Sequence, residues 1–131
     1  MHEGTKHCTF DPESQYVDLA AEVFTLLSDA TRIRIILALR GGELPVNALA
    51  ERVGKSPTVV SQHLAKLRWG KVVSARQEGT RMYYSLIDDH ARQLVTHAVF
   101  HAGRVVGDAL PTHQLGEQGL PVAPDGEEPA S

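Results

Sequence analysis

Cysteine is nearly absent from this 131-residue chain: Cys8 is the only one. A single cysteine excludes an intrachain disulfide, and with it the disulfide-stapled secreted class. It also excludes a thiolate cage for a soft metal within one chain. No apolar run approaches the roughly 20 residues of a membrane span. The N-terminus is polar and carries none of the apolar core of a signal peptide. No glycine loop of the kind that cradles phosphate occurs, and no Ser/His/Asp or Cys/His set marks a nucleophilic site. The expectation is a soluble cytoplasmic protein, not an enzyme, with no membrane partner.

What is present is unevenly distributed. Hydrophobic residues make up 42% of the chain, enough for one modest core. The net charge is −3, which argues against a polyanion as partner until it is resolved along the sequence. Between Arg52 and Arg81 there are seven basic residues (Arg52, Lys55, Lys66, Arg68, Lys71, Arg76, Arg81) against one acid, Glu78. From Val105 onward there are five acids and no Lys or Arg. A basic middle and an acidic end suit a protein that meets nucleic acid with one segment.

The segment SPTVVSQHLAKLR (56–68) lies inside the basic stretch. Ser56 is a helix N-cap and Pro57 fits the first helical position, where its missing N–H costs nothing. Val60, Leu64 and Leu67 recur at i, i+4, i+7 and form one buried stripe. The opposite face carries Thr58, Ser61, Gln62, Ala65 and Lys66. Short hydroxyl and amide groups reach base edges in a groove, and lysine reaches phosphate. Lys55 and Ser56 stand at the entry of this helix. His63, beside Leu64, is read as a packing or DNA-contact residue rather than a metal ligand.

The flanking sequence supplies the rest of the architecture. Residues 1–15 read as a flexible arm. Residues 16–27 form an amphipathic first helix. Ser28 or Asp29 caps a second helix over Thr31–Arg40, stopped by Gly41-Gly42. Pro45 opens a short third helix that ends at Gly54, so the third and fourth helices make a helix-turn-helix. After Gly70 the period changes to two. Val72–Gln77 and Arg81–Leu86 read as strands around a Glu78-Gly79-Thr80 turn. A hairpin behind a reading helix is a wing, and Arg76 and Arg81 flank its tip, where phosphate or a minor groove is met. A last helix runs from Asp88 to Val106, and residues 107–131 read as a disordered acidic tail. The fold class is mainly α with a small β-hairpin: a winged helix-turn-helix domain over residues 16–106.

Seven histidines are present. His90, His97 and His101 fall on the last helix, and spacings of seven and four place them in a narrow arc of one face. Asp88 precedes His90 by two. Imidazole with carboxylate is a ligand set that borderline divalent metals take.

The order of elements resembles the ArsR/SmtB family of winged-helix repressors over about residues 17–104. LLSDATRIRIILAL resembles the family's second helix, LAERVGKSPTVVSQHLAKLR its helix-turn-helix signature and EGTRMYYSL its wing. Trp69-Gly70-Lys71-Val72-Val73 departs from the family's frequent Ala-Gly-Leu-Val. The resemblance implies a homodimer through the first and last helices, seated on a palindromic double-stranded operator and released by an inducer. Asp88-x-His90, then ten residues, then His101 resembles the family's last-helix metal site, shared between two subunits. The family's fourth ligand falls at Arg104, which cannot coordinate a cation. His97 is an extra donor one turn before His101, and His2, His7, Cys8 and His113 are further candidates from the ends of the chain. This surplus favours nickel or cobalt, which accept six N/O ligands, with zinc as the alternative. The thiolate pair that arsenic, cadmium and lead sensors of the family carry near the third helix is missing from LPVNALAE. A winged-helix regulator that ignores metal is the other reading.

Overall fold

The computed structural model describes residues 10–109, with side chains given through Gly107. The elements are α1 (Tyr16–Leu27), α2 (Ala30–Ala38), β1 (Leu44–Pro45), α3 (Val46–Val53), α4 (Pro57–Trp69), β2 (Val73–Glu78), β3 (Arg81–Leu86) and α5 (His90–Ala109). They fall into two compact units that divide within α5, after Arg92. Residues 1–9 of the arm expected over 1–15 and residues 110–131 of the tail expected over 107–131 lie outside the described residues, and so do His2, His7, Cys8 and His113.

Helix boundaries follow from their caps. Asp29 is extended (φ −154°) and its carboxylate accepts the Arg32 N–H at 3.1 Å, so Asp29 rather than Ser28 starts α2. That backbone hydrogen bond is the main reason its carboxyl titrates below the usual carboxylate range. α2 ends at Ala38 and tightens into a 3₁₀ turn over Leu39–Gly41, two residues short of the helix expected to Arg40. Gly54 takes the left-handed conformation (φ 71°) that closes α3 and turns the chain into α4. Ser56 accepts the Val59 N–H at 3.2 Å and Pro57 follows at the start of α4.

The end of α4 is a Schellman motif. The Lys71 N–H reaches the Arg68 carbonyl at 3.0 Å, and the Val72 N–H reaches the Leu67 carbonyl at 2.9 Å. The left-handed residue is Lys71 (φ 66°), where glycine is usual, at a cost of about 1 kcal/mol. At the preceding Gly70, a Cβ would lie 2.3 Å from Leu26 Cδ2, so the Leu26 side chain would have to shift to admit one.

The first unit is built on α2, α3, α4 and the sheet. Ile35, Ile36, Leu49, Val60, Leu64, Leu67 and Val73 are all fully buried. Each such side chain contributes about 1.5–3 kcal/mol on leaving water. The periodic stripe Val60, Leu64, Leu67 therefore lies where its spacing predicts.

The sheet has one strand more than expected. Its order is β1-β3-β2, with β1 antiparallel to β3 through Leu44↔Tyr84 and Pro45↔Tyr83. Two residues carry no readable period, and proline is tolerated there because β1 is an edge. The hairpin strand is Val73–Glu78, one residue later than the expected Val72–Gln77. Glu78 pairs with Arg81, leaving a two-residue Gly79-Thr80 turn. Gly79 is left-handed (φ 64°), as the first central position of such hairpins requires.

α1 and α5 carry apolar faces that one chain leaves in water. Of α1 only Leu27 is buried, while Tyr16, Val17, Leu19, Val23 and Phe24 are exposed. In the second unit Leu94, Phe100 and Val105 are exposed while Val95 is buried. α5 starts at His90, not Asp88, and continues past Gly107 to Ala109, so the boundary expected at 107 falls inside the helix. No described helix is long and apolar enough to cross a membrane.

Replacing Asp29 by Ala should lower unfolding stability by about 1 kcal/mol, whereas Asp29→Asn, which can still cap, should lose less. The lowered carboxyl pKa fixes the sign of the pH effect. The advantage of Asp29 over Asn should be complete at neutral pH and shrink as pH falls below about 4. Urea unfolding of the three proteins at several pH values checks both.

Candidate nucleic-acid interface and metal-donor face

α4 has two faces because its apolar residues occupy only one stripe. With Val60, Leu64 and Leu67 turned inward, Thr58, Ser61, Gln62 and Lys66 are exposed on the far side. Lys55 and Ser56 are exposed at its start, although the Ser56 hydroxyl is engaged in the cap. The face offers hydroxyl, amide and ammonium groups, the types that read base edges and grip phosphate.

His63 does not share that face. It is half-buried, and its Nδ1 accepts the Arg32 Nε–H at 3.1 Å. Arg32 also donates to the Leu26 carbonyl at 2.9 Å, and Asp29 lies 3.8 Å from the imidazole. Of the two roles read from sequence, this geometry corresponds to packing: His63 ties α4 to the start of α2.

The wing arginines differ from each other. Arg76 reaches Glu43 with Nη2 at 2.5 Å and Glu78 with Nη1 at 2.6 Å. Its guanidinium lies 5.0 Å from the centre of the Tyr83 ring, the residue opposite it in the ladder. The two carboxylates raise the arginine pKa further above its ordinary value, and Arg76 in turn lowers that of Glu43. Arg76 thus braces β2 to the chain just before β1, with two carboxylates beside its half-exposed guanidinium. Arg81, 5.8 Å from the same ring, is exposed and has no ion pair among the described residues.

At the start of α5, Asp88 Oδ1 accepts the His90 N–H at 2.9 Å and lies 3.5 Å from His90 Nδ1. Asp88 precedes the helix and accepts its first N–H while standing beside the imidazole. Its neighbour Asp89 is held by Arg92 at 2.5 and 2.6 Å. His97 and His101 are exposed on α5 in the second unit. Among the described residues of one chain, no three His, Cys, Asp or Glu side chains gather into a group able to hold a metal ion. Arg104 is exposed where the expected fourth ligand falls.

A capped reading helix after a tight turn, backed by a three-stranded wing, defines a winged helix-turn-helix protein. Residues 29–69 match the family model described as bacterial regulatory protein, arsR family. The HTH-type transcriptional regulator KmtR of Mycobacterium tuberculosis is 47% identical over 109 residues, covering 83% of this chain and 82% of KmtR. The chain belongs to the ArsR family of bacterial transcriptional regulators. A cadmium resistance transcriptional regulatory protein CadC homolog of Staphylococcus aureus is 41% identical over 87 residues, covering 65% of this chain and 71% of the homolog. The solution structure of a homodimeric winged helix-turn-helix DNA-binding domain, Mb0332 of Mycobacterium bovis, superposes with a TM-score of 0.62 at 28% identity. That match covers 82% of this chain and 95% of the other.

Two residues that shape this surface escaped sequence reasoning. Arg32 orients His63 and Glu43 anchors Arg76, and each partner lies more than thirty positions away, so no local period signals them. The geometry separates the variants. Arg81→Ala should lower the salt dependence of DNA binding by about one phosphate contact, and Arg76→Ala by less. His63→Ala should reduce thermal stability while sequence preference is retained, whereas Gln62→Ala should do the reverse. Salt titrations and melting curves of the four variants check these assignments.

Proposed function

We propose that the chain is a homodimeric transcriptional repressor that holds double-stranded operator DNA through α4 and the wing. It releases the DNA when a divalent metal binds at α5, with nickel or cobalt ahead of zinc. The observation that carries this reading is the exposed Asp88–His90 pair, set at the start of a helix that bears His97 and His101 further along.

Helix geometry argues that the metal joins two chains. A rise of about 1.5 Å per residue puts His101 about 16 Å beyond His90 on the same helix. Ligand bonds are about 2 Å long, so one ion cannot be reached by both. An antiparallel second α5 brings the partner's His101 toward Asp88 and His90. The exposed apolar residues of α1 and α5 supply the surface for such pairing, and burying them favours it at about 25 cal/mol per Å². His97 then lies nearer the middle of the pair, where it can substitute for the ligand that Arg104 cannot provide. His2, His7, Cys8 and His113 are the further donors in this scheme. Nitrogen and oxygen donors in excess of four suit nickel or cobalt, while zinc is satisfied with four. The CadC homolog is named for cadmium resistance; α3 of this chain has no thiol, so a soft metal is not assigned to it.

Metal acts by selecting one dimer geometry over another. The difference in metal affinity between the two must supply the coupling, typically about 1–3 kcal/mol. The geometry that metal prefers is the one in which the two α4 helices no longer match successive turns of the operator.

Titrating cobalt, nickel and zinc into the apo dimer, with an operator duplex selected from a random pool, tests this reading. Cobalt or nickel should give d–d bands of six-coordinate intensity and release the duplex, with recovery on adding chelator. His90→Ala and His101→Ala should each abolish the bands and the release while leaving apo binding intact. A repressor that ignores metal would keep its duplex with all three ions.

A further inference from the structure

Trp69 is the last residue of α4 and is 87% exposed. It is the only tryptophan of the chain. Its position on the helix is informative: it follows Thr58, Gln62 and Ala65 at i+11, i+7 and i+4, so all four lie along one stripe. That stripe is the reading face. A concavity of about 630 Å³ opens beside it, lined by Ser61, Ala65, Arg68, Trp69, Lys71 and Tyr84. Two cations and two aromatic rings line it, and no acid does. Among the described residues neither Arg68 nor Lys71 makes an ion pair, in contrast to Arg76.

Lys71 adds an independent observation. It holds a left-handed conformation at the C-terminal cap of α4, where glycine would fit without strain. A non-glycine residue held in this region motivates the search for a role of its side chain.

We propose that this concavity is a backbone clamp for duplex DNA, continuous with the reading face. Arg68 and Lys71 take successive phosphates, and the Trp69 ring packs against the intervening deoxyribose. Continuity with α4 and the unbalanced positive charge single out DNA as the occupant rather than a second copy of the chain. The clamp rests on the DNA-binding reading above and extends it. It positions the reading helix from its C-terminal end and contributes to affinity for any sequence, because phosphate and sugar carry no base identity.

Sequence independence makes the test accessible with a fluorescein-labelled random-sequence duplex of 30 base pairs at low ionic strength, read by anisotropy. Trp69 emission and acrylamide quenching report contact in the same titration. Binding should quench the Trp69 emission or protect it from acrylamide. Trp69→Ala should weaken duplex binding. Arg68→Ala and Lys71→Ala should each reduce the salt slope by about one. Lys71→Gly separates strain from function: it should melt at the same or a higher temperature than the parent yet lose the same salt slope as Lys71→Ala. Duplex binding that leaves Trp69 emission and quenching unchanged overturns the clamp and leaves the DNA-binding reading standing. Protection of Trp69 that rises with protein concentration in the absence of DNA assigns the surface to a second copy and also overturns it. A chain that binds no duplex at all overturns the DNA-binding reading itself.

Discussion

The fold depends on one helix having two incompatible neighbours. α4 buries Val60, Leu64 and Leu67 completely against α2, α3 and β2. Those three contacts fix its rotation, and the rotation decides which residues face water. Thr58, Gln62, Ala65 and Trp69 are on the outer stripe because Leu64 is on the inner one. The caps at Ser56 and Lys71 fix where the helix starts and stops, so its outer face has a defined length as well as a defined direction. His63 sits at the edge between the two faces, and its bond to Arg32 locks the rotation from the side. A slip of one residue in this packing would turn the outer residues by about 100° and break up the polar face.

Much of this was legible before the structure. Ser56-Pro57, Gly54 and the i, i+4, i+7 stripe are local signals, and local signals locate helices. The wing was legible from Gly79 and the alternating residues around it. The features that were not legible are those made by distant partners. β1 consists of two residues recognised as a strand only because Tyr83 and Tyr84 pair with them. Arg76 reads as a free cation until Glu43, 33 positions earlier, is found beside it. His63 reads as ambiguous until Arg32 resolves it. Trp69 was visible as a departure from the family's pattern, but its exposure depends on how α4 packs, which no spacing states.

The candidate metal face was legible in part for the same reason. Helical spacing alone puts His90, His97 and His101 in one arc, and Asp88 beside His90 is a local contact that the His90 N–H hydrogen bond enforces. What spacing cannot supply is the second half of a coordination sphere. Among the described residues, one chain leaves apolar surface exposed on both α1 and α5, and its described donors are strung along a helix rather than gathered. In the proposed dimer, a second copy meets both deficits. On this account the metal and the apolar face act on the same equilibrium, because the ion adds to whichever arrangement of the two α5 helices brings its ligands together.

If ligands from two different chains hold the metal, two defective chains should complement each other. A His90→Ala chain and a His101→Ala chain, each unable to bind as a homodimer, are mixed, unfolded and refolded together, and bound cobalt is read from its d–d absorption. Cross-chain ligation predicts that the mixed dimer regains one intact site, restoring about a quarter of the parental absorption when half of the dimers are mixed. Ligation within a single chain predicts no recovery in any mixture, and that result would contradict the account.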